Sequence, residues 1–175
     1  KSSISTIINR SDHLQVFVEN YRKLAMLPTP TKQMTPINAL FEDCLGIMSP
    51  ILKAENIELI NDIHSSRSIM MDKNQMEQVI INLITNSIYA LKEKEEKKMY
   101  VSSYTENNRF FISISDNGKG IDSEIQDKVF LPFFTTRKDG AGIGLTLSKN
   151  IIEAHGGYLS YQTDEDKTSF MICLI

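Results

Sequence analysis

The sequence predicts an α+β fold, a two-layer sandwich in which a mixed, largely antiparallel sheet packs on three main helices, preceded by an N-terminal helix of the bundle type. Three observations lead there. Three stretches repeat apolar residues at helical spacing, two alternating stretches flank a short polar turn, and helices and strands follow one another in an order that sorts them into layers. The 175 residues suit one domain with a short appendage, and 41% hydrophobic residues suffice for a core. With 19 Lys and Arg against 22 Asp and Glu, the net charge is −3. No chain-wide cationic field therefore points to nucleic acid or an anionic membrane, and any polyanion has to be bound locally. Apolar runs fall far short of the roughly 20 residues that cross a bilayer, and no signal-peptide layout opens the chain, so the chain is expected to be soluble. Cys44 and Cys173 occur in unrelated contexts, which fits a reduced, cytoplasmic setting rather than a zinc site or a disulfide framework. Lys1 is not a start methionine, so a longer parent with a membrane anchor stays compatible.

The first segment, 1–26, places Ile4, Ile7, Ser11, Leu14, Val18, Tyr21 and Ala25 on alternating three- and four-residue steps, a heptad seam. Phe17 and Leu24 widen the stripe to suit a bundle, although an ordinary amphipathic helix docked on its own domain fits too. Leu27-Pro28-Thr29-Pro30 stops that helix, because each proline lacks a donor and pushes its predecessor toward extended geometry. The domain boundary is placed here, dividing 1–30 from 31–175. A helix is predicted over 36–53, strands over 57–63 and 68–71, and a longer helix over 72–94 with Asp72 as N-cap. The mixed-charge run 92–98 reads as a solvated helix end. Strands at 99–105 and 109–116 form a hairpin around Glu106-Asn107-Asn108, the second alternating Phe110, Ile112 and Ile114 against Phe111, Ser113 and Ser115. A helix over 142–155 closes at Gly156, and strands follow at 158–163 and 169–175.

Four constellations carry potential chemistry. Asp116-Asn117-Gly118-Lys119-Gly120 follows a strand directly. Its glycines let backbone approach a flat ligand, and its aspartate can accept from an exocyclic amine, though a plain strand-to-helix turn uses the same residues. Gly140-Ala141-Gly142-Ile143-Gly144-Leu145 opens a helix whose unobstructed N–H groups suit phosphate oxygens. No strand precedes this run and no Gly-Lys-Ser/Thr follows, so neither a Rossmann nor a phosphate-loop motif is present; a structural glycine cap is the alternative. Asn82 and Asn86, one turn apart, sit on the shoulder of an apolar face with Val79, Ile80, Leu83, Ile84 and Leu91. Half-buried amides there can ligate Mg²⁺ beside a phosphate or bond to backbone and water. Lastly, Phe130, Phe133 and Phe134 flank Pro132 ahead of Arg137 and Lys138, either as anchors of a loop or as exposed contact residues.

In this order the four features resemble the ATP-binding catalytic domain of sensor histidine kinases, in the wider fold family of type II topoisomerase ATPases, Hsp90 chaperones and the mismatch-repair protein MutL. Asn82 to Asn86 is similar to the N box, Asp116 to Gly120 to the first glycine box, Phe130 to Phe134 to the F box and Gly140 to Gly144 to the second glycine box. The likeness covers about 36–175, and Tyr21 to Pro30 resembles the end of the second dimerisation helix of nitrogen-regulatory-type kinases. It implies a domain that transfers the γ-phosphoryl of Mg-ATP to a histidine on a dimerisation helix outside this chain. ATP and Mg²⁺ are the implied cofactors. Asn82, Arg137 and Lys138 are the implied catalytic residues, and Asn86 the implied metal ligand. Nucleotide binding is implied for Asn86, Asp116, Gly118, Gly120, Ile121, Phe134, Gly140, Gly142, Ile143, Gly144, Leu145 and Thr168. The implied partners are the phosphoacceptor dimerisation domain of the same kinase and, through the full protein, a response regulator receiver domain, with a homodimeric parent. Three departures stand out. Lys167 replaces the glycine of a third box that keeps Thr168 and Phe170; Tyr89 stands where many relatives carry a charged or amide residue; and none of His13, His64 and His155 lies in an acceptor motif. His13 is read as a surface residue, and His64 and His155 as structural. Two competing functions are a clamp ATPase of the same fold and a nucleotide-binding module without kinase activity.

Overall fold

The computed structural model describes residues 15, 18, 19, 21, 22, 24–65, 67–137, 140–164 and 166–174. In chain order the elements are β1 (Gln33–Pro36), α1 (Ile37–Ala54), β2 (Ile57–Asp62), β3 (Ser68–Met71), α2 (Lys73–Ala90), β4 (Lys97–Glu106), β5 (Arg109–Asp116), a 3₁₀ turn (Ser123–Lys128), α3 (Gly144–Ala154), β6 (Tyr158–Thr163) and β7 (Thr168–Leu174). Five strands form one sheet in the order β2-β4-β5-β7-β6, with β1 and β3 pairing separately. Only β2 against β4 is parallel within the five-stranded sheet; its other three pairings are antiparallel. The predicted sandwich is the observed one.

Each helix follows from its apolar stripe. Helix α1 buries Ile37, Leu40, Phe41, Cys44, Met48 and Leu52 on one side. Pro50 lies inside it and forgoes one backbone hydrogen bond there. Helix α2 buries Met76, Val79, Ile80, Leu83, Ile84 and Ile88, and α3 buries Leu147, Ile151 and Ile152; the core cluster joins these to Met99, Val101, Ile112, Ile114 and Ile172 of the sheet. Asp72 caps α2 as predicted, accepting from the Gln75 N–H at 3.1 Å. The hairpin turns on Asn107 and Asn108 with φ of 48° and 64°, the left-handed pair that a two-residue turn between twisted strands requires.

Several boundaries shift. Helix α2 ends at Ala90 rather than 94, because the chain turns at Leu91 to enter β4. Helix α3 begins at Gly144, leaving Gly142 and Ile143 outside it. Strand β1 was not predicted, and β4 starts two residues early. His155 is buried as expected, its Nε2 accepting from the Asp72 N–H at 3.0 Å while Nδ1 lies 2.7 Å from the Ile151 carbonyl. His64 is not structural: it is exposed and, among the described residues, pairs with the exposed Asp62 carboxylate at 3.1 Å.

The N-terminal helix falls partly outside the described residues, which include neither Ile4, Ile7, Ser11, His13 and Leu14 nor Phe17. Of the seam, Val18, Tyr21 and Ala25 are exposed, whereas Leu24 beside the seam and Leu27 after it rest on the core. The following segment is fastened to α2: the Thr31 N–H donates to Asp72 Oδ2 at 2.9 Å and Gln75 Nε2 to the Pro28 carbonyl at 2.9 Å. No helix among the described residues is long and apolar enough to cross a membrane.

Candidate functional site

Strand alternation puts Asp116 on the same face of β5 as Phe110, Ile112 and Ile114, against the helices, so its carboxylate is only 2% exposed. Burial pushes this carboxyl above the ordinary carboxylate range. The Ser87 hydroxyl and the Gly118 N–H, which donates to Oδ1 at 3.0 Å, draw it partly back. The hydroxyl itself falls short of hydrogen-bond geometry. An ionised carboxylate held at this depth accepts hydrogen bonds and donates none, which suits the amino group of a flat heterocycle. Thr168 stands beside Asp116 in the β5–β7 register, and its Oγ1 lies 3.0 Å from that of Thr163, which in turn accepts the Ile121 N–H at 3.4 Å.

Gly118 allows the loop to close against the end of α2. A Cβ there would sit 2.6 Å from Asp116 Oδ1 and 2.7 Å from Ala90 Cβ. It is thus a packing glycine beneath the carboxylate and forms no part of the cleft wall, while Gly120 and Ile121 do line it.

Asn82 and Asn86 are both half-buried and both line the same cleft. Asn82 Nδ2 donates to Ser148 Oγ at 2.9 Å, tying α2 to α3, and a side chain at Gly144 would collide with its Oδ1. Asn86 Oδ1 accepts from an Arg137 guanidinium nitrogen at 3.2 Å. Lys138 lies outside the described residues.

The run Gly140 to Leu145 forms the far wall. Gly142 has φ +67°, and a Cβ on it would enter the backbone of Phe133; glycine is therefore required both by conformation and by space. Ile143 caps α3 with no side-chain hydrogen bond, so the helix N-terminus meets the cleft without a competing anion acceptor of its own. The phenylalanines divide their work. Phe130 packs on Tyr161 at 5.9 Å between ring centres and its carbonyl accepts from Thr146 Oγ1 at 3.0 Å; Phe134 lines the cleft; Phe133, with φ +64°, supplies the backbone that Gly142 accommodates.

Together these residues enclose a cleft of about 1200 Å³, with Asp116 and Thr168 toward the sheet and Asn86, Arg137 and the glycine run opposite. Ile125 and Gln126 of the 3₁₀ segment and Val129 just after it also line the cleft, and no motif or spacing in the sequence marks them. Tyr89, Lys119 and Thr163 join them. Lys167, the departure from the third box, is exposed and holds its ammonium 4.6 Å from the centre of the Tyr100 ring, away from the cleft.

The family model described as histidine kinase-, DNA gyrase B-, and HSP90-like ATPase matches residues 71–175. This chain belongs to that ATPase family. As a member of the histidine kinase-, gyrase B- and HSP90-like ATPases it is an ATP-binding domain. The signal transduction histidine-protein kinase AtoS of Escherichia coli is 30% identical over 155 residues, which are 88% of this chain and 25% of AtoS. The chain thus spans a quarter of that relative's length. The nucleotide-free catalytic domain of histidine kinase ThkA is 26% identical with a TM-score of 0.74, covering 82% of this chain and 94% of that one. The fold also matches ThkA in its complex with the response regulator TrrA, at 24% identity and a TM-score of 0.78, over 99% of this chain and 50% of that one.

Proposed function

We propose that this chain is the ATP-binding catalytic domain of a sensor histidine kinase, transferring the γ-phosphoryl of Mg-ATP to a histidine outside these residues. The observation that carries the reading is Asn82: a clamp ATPase of this fold needs a carboxylate there to take a proton from water, and an amide already bonded to Ser148 cannot do so. The relatives' identity as sensor kinases supports the same choice. Asp116 then holds the adenine amino group. The uncapped start of α3 receives phosphate oxygens, and Arg137 supplies the charge that Tyr89 does not.

Magnesium fits the donors present. No group of three or more His, Cys, Asp and Glu side chains able to hold a metal occurs among the described residues. Mg²⁺ characteristically takes one or two protein oxygens and fills its octahedron with water and phosphate, so Asn86 Oδ1, which here accepts from Arg137, would suffice as the protein ligand once that guanidinium turns to phosphate. Once bound, the ion would neutralise charge building on the bridging phosphate oxygens. The domain's own task is to exclude the wrong base, fix the triphosphate and expose its end to the acceptor.

The wider setting follows from the same reading: a cytoplasmic domain of a homodimeric kinase whose dimerisation helix presents the acceptor and passes the phosphoryl group to a response regulator. The exposed Val18 and Tyr21 suit burial in such a bundle. The test is phosphotransfer in trans. Mixed with the parent's dimerisation domain and labelled Mg-ATP, this chain should label that partner with an acid-labile, base-stable phosphoramidate, and should label neither itself nor water at a comparable rate. Rapid ATP turnover with no acceptor present would overturn the reading in favour of the clamp ATPase. ATP binding with no transfer to any acceptor would favour a regulatory nucleotide module.

A further inference from the structure

Three cations converge on one aromatic ring. The Arg137 guanidinium lies 4.7 Å from the centre of Tyr89, Lys119 Nζ 5.2 Å and Lys92 Nζ 5.4 Å. Tyr89 sits three residues after Asn86 on α2, the spacing that makes side chains neighbours on one helix face. Arg137 spans both, stacking on the ring while donating to Asn86 Oδ1 at 3.2 Å. Its backbone is held as well: its N–H donates to Thr135 Oγ1 at 3.0 Å, and its carbonyl accepts from Gly140 at 3.2 Å. Gathering like charges is unfavourable unless a π face or an anion compensates them, and in a chain of net charge −3 such clustering is local and specific.

We propose that Tyr89 is a positioning residue for the nucleotide's phosphates: its ring is the shelf that holds the Arg137 guanidinium beside Asn86, ready to meet them. The role rests on the nucleotide reading above. A long side chain on a loop gives up rotamer freedom when it engages phosphate, and a ring that already fixes its plane removes part of that cost. The ring's π face does this work, not its hydroxyl, so phenylalanine should serve and an aliphatic residue should not.

The measurement is equilibrium binding of a fluorescent ATP analogue in EDTA, so that no metal contributes, to the wild-type chain, Tyr89→Phe, Tyr89→Leu, Arg137→Ala and the Tyr89→Leu/Arg137→Ala pair. Tyr89→Leu is expected to weaken binding about 3- to 30-fold, Tyr89→Phe to retain most of it, and Arg137→Ala to lose at least as much as Tyr89→Leu. In the Arg137→Ala background Tyr89→Leu should cost much less than it does in the wild-type chain, since the ring then holds only Lys119 and Lys92. Additive losses overturn the proposal, as do equal losses for the Phe and Leu variants or wild-type affinity in either Tyr89→Leu or Arg137→Ala. A Tyr89→Leu chain that fails to fold leaves the Phe and Arg137→Ala variants to decide. If Arg137→Ala binds as wild type, the shelf has no cargo and the proposal fails. A wild-type chain without ATP affinity would instead overturn the nucleotide reading itself, leaving a result distinct from an uncoupled cycle.

Discussion

At the Asp116 end of the cleft, the groups facing a ligand belong to the sheet. Asp116 and Thr168 are 2% and 4% exposed, sit in register on adjacent central strands, and are backed by Ser87, Gly118 and Thr163. At the Arg137 end they ride on loops and on α2, where Arg137 and Lys119 meet Tyr89 at stacking distance and Asn86 accepts a hydrogen bond from the Arg137 guanidinium. The difference teaches where selectivity and where strength reside. Buried, prearranged acceptors discriminate one base from another, because a mismatched partner leaves them unsatisfied in low dielectric. Half-exposed cations attract any phosphate, weakly and under salt screening.

The largest effect is therefore expected at the sheet end. Asp116→Asn should cost adenine-nucleotide affinity about 2 kcal/mol and narrow the preference for ATP over GTP, since the amide offers a donor where the carboxylate only accepts. An unchanged preference in competition titrations would remove Asp116 from base recognition. The same carboxyl makes a pH prediction. Its native pKa is raised, so the ionised acceptor is lost, as pH falls, at values still above 3.8, and affinity should decline from there downward. The sign for stability is opposite: a raised carboxyl pKa favours the native state below the unfolded value, and that contribution disappears as pH rises through the native one.

Next comes Gly142→Ala, which imposes a left-handed conformation on a residue with Cβ and drives that atom into the Phe133 backbone. About 1–2 kcal/mol of stability should go, together with ATP affinity, as the wall reshapes. Thermal unfolding unchanged by this substitution would contradict the close approach. Asn86→Ala is expected to be milder, about 1 kcal/mol, and to weaken Mg-ATP binding more than metal-free ATP binding; titrations showing equal losses would remove the metal-ligand assignment. Smallest of all, Lys167→Gly should change ATP affinity by less than about 0.5 kcal/mol, because that side chain already lies over Tyr100. A clear gain in affinity on restoring glycine would show that the third-box departure does impair the site.

The sheet end was also the more legible. Asp116 follows an alternating strand whose apolar members declare the buried face, so its depth could be inferred from period alone. Gly142 belongs to the glycine run that the sequence singles out, but its left-handed φ of +67° was not legible, since the periodicity carries the helix back to 142. The motif implies nucleotide binding for Gly118, but a sequence cannot tell a glycine that a ligand approaches from one that Ala90 approaches. The cluster at Tyr89 was legible only in part, because Lys92 follows three residues on while Lys119 and Arg137 arrive from separate loops brought together by folding. Among the elements, β1 was missed for a related reason. It is short, ends in a proline, buries only Thr35 and pairs with β3 alone, so no alternation announces it. Helix α2 was drawn too long because Lys92 to Lys98 has ordinary helix formers, and what ends the helix is the tertiary demand that Lys97 begin β4.

The fastening of Pro28 and Thr31 to the first turn of α2 makes that helix a lever. Its 18 residues form a rod whose near end is held by the segment after the N-terminal helix and whose farther turns carry Asn82, Asn86 and Tyr89. At 1.5 Å rise per residue, Asn86 stands roughly 20 Å from Asp72, so a tilt of about 10° at the pivot sweeps it through roughly 4 Å. That travel exceeds the margin between a formed and a broken hydrogen bond. Any tilt of α2 about its fastened end is therefore larger at Asn86 than at Asp72.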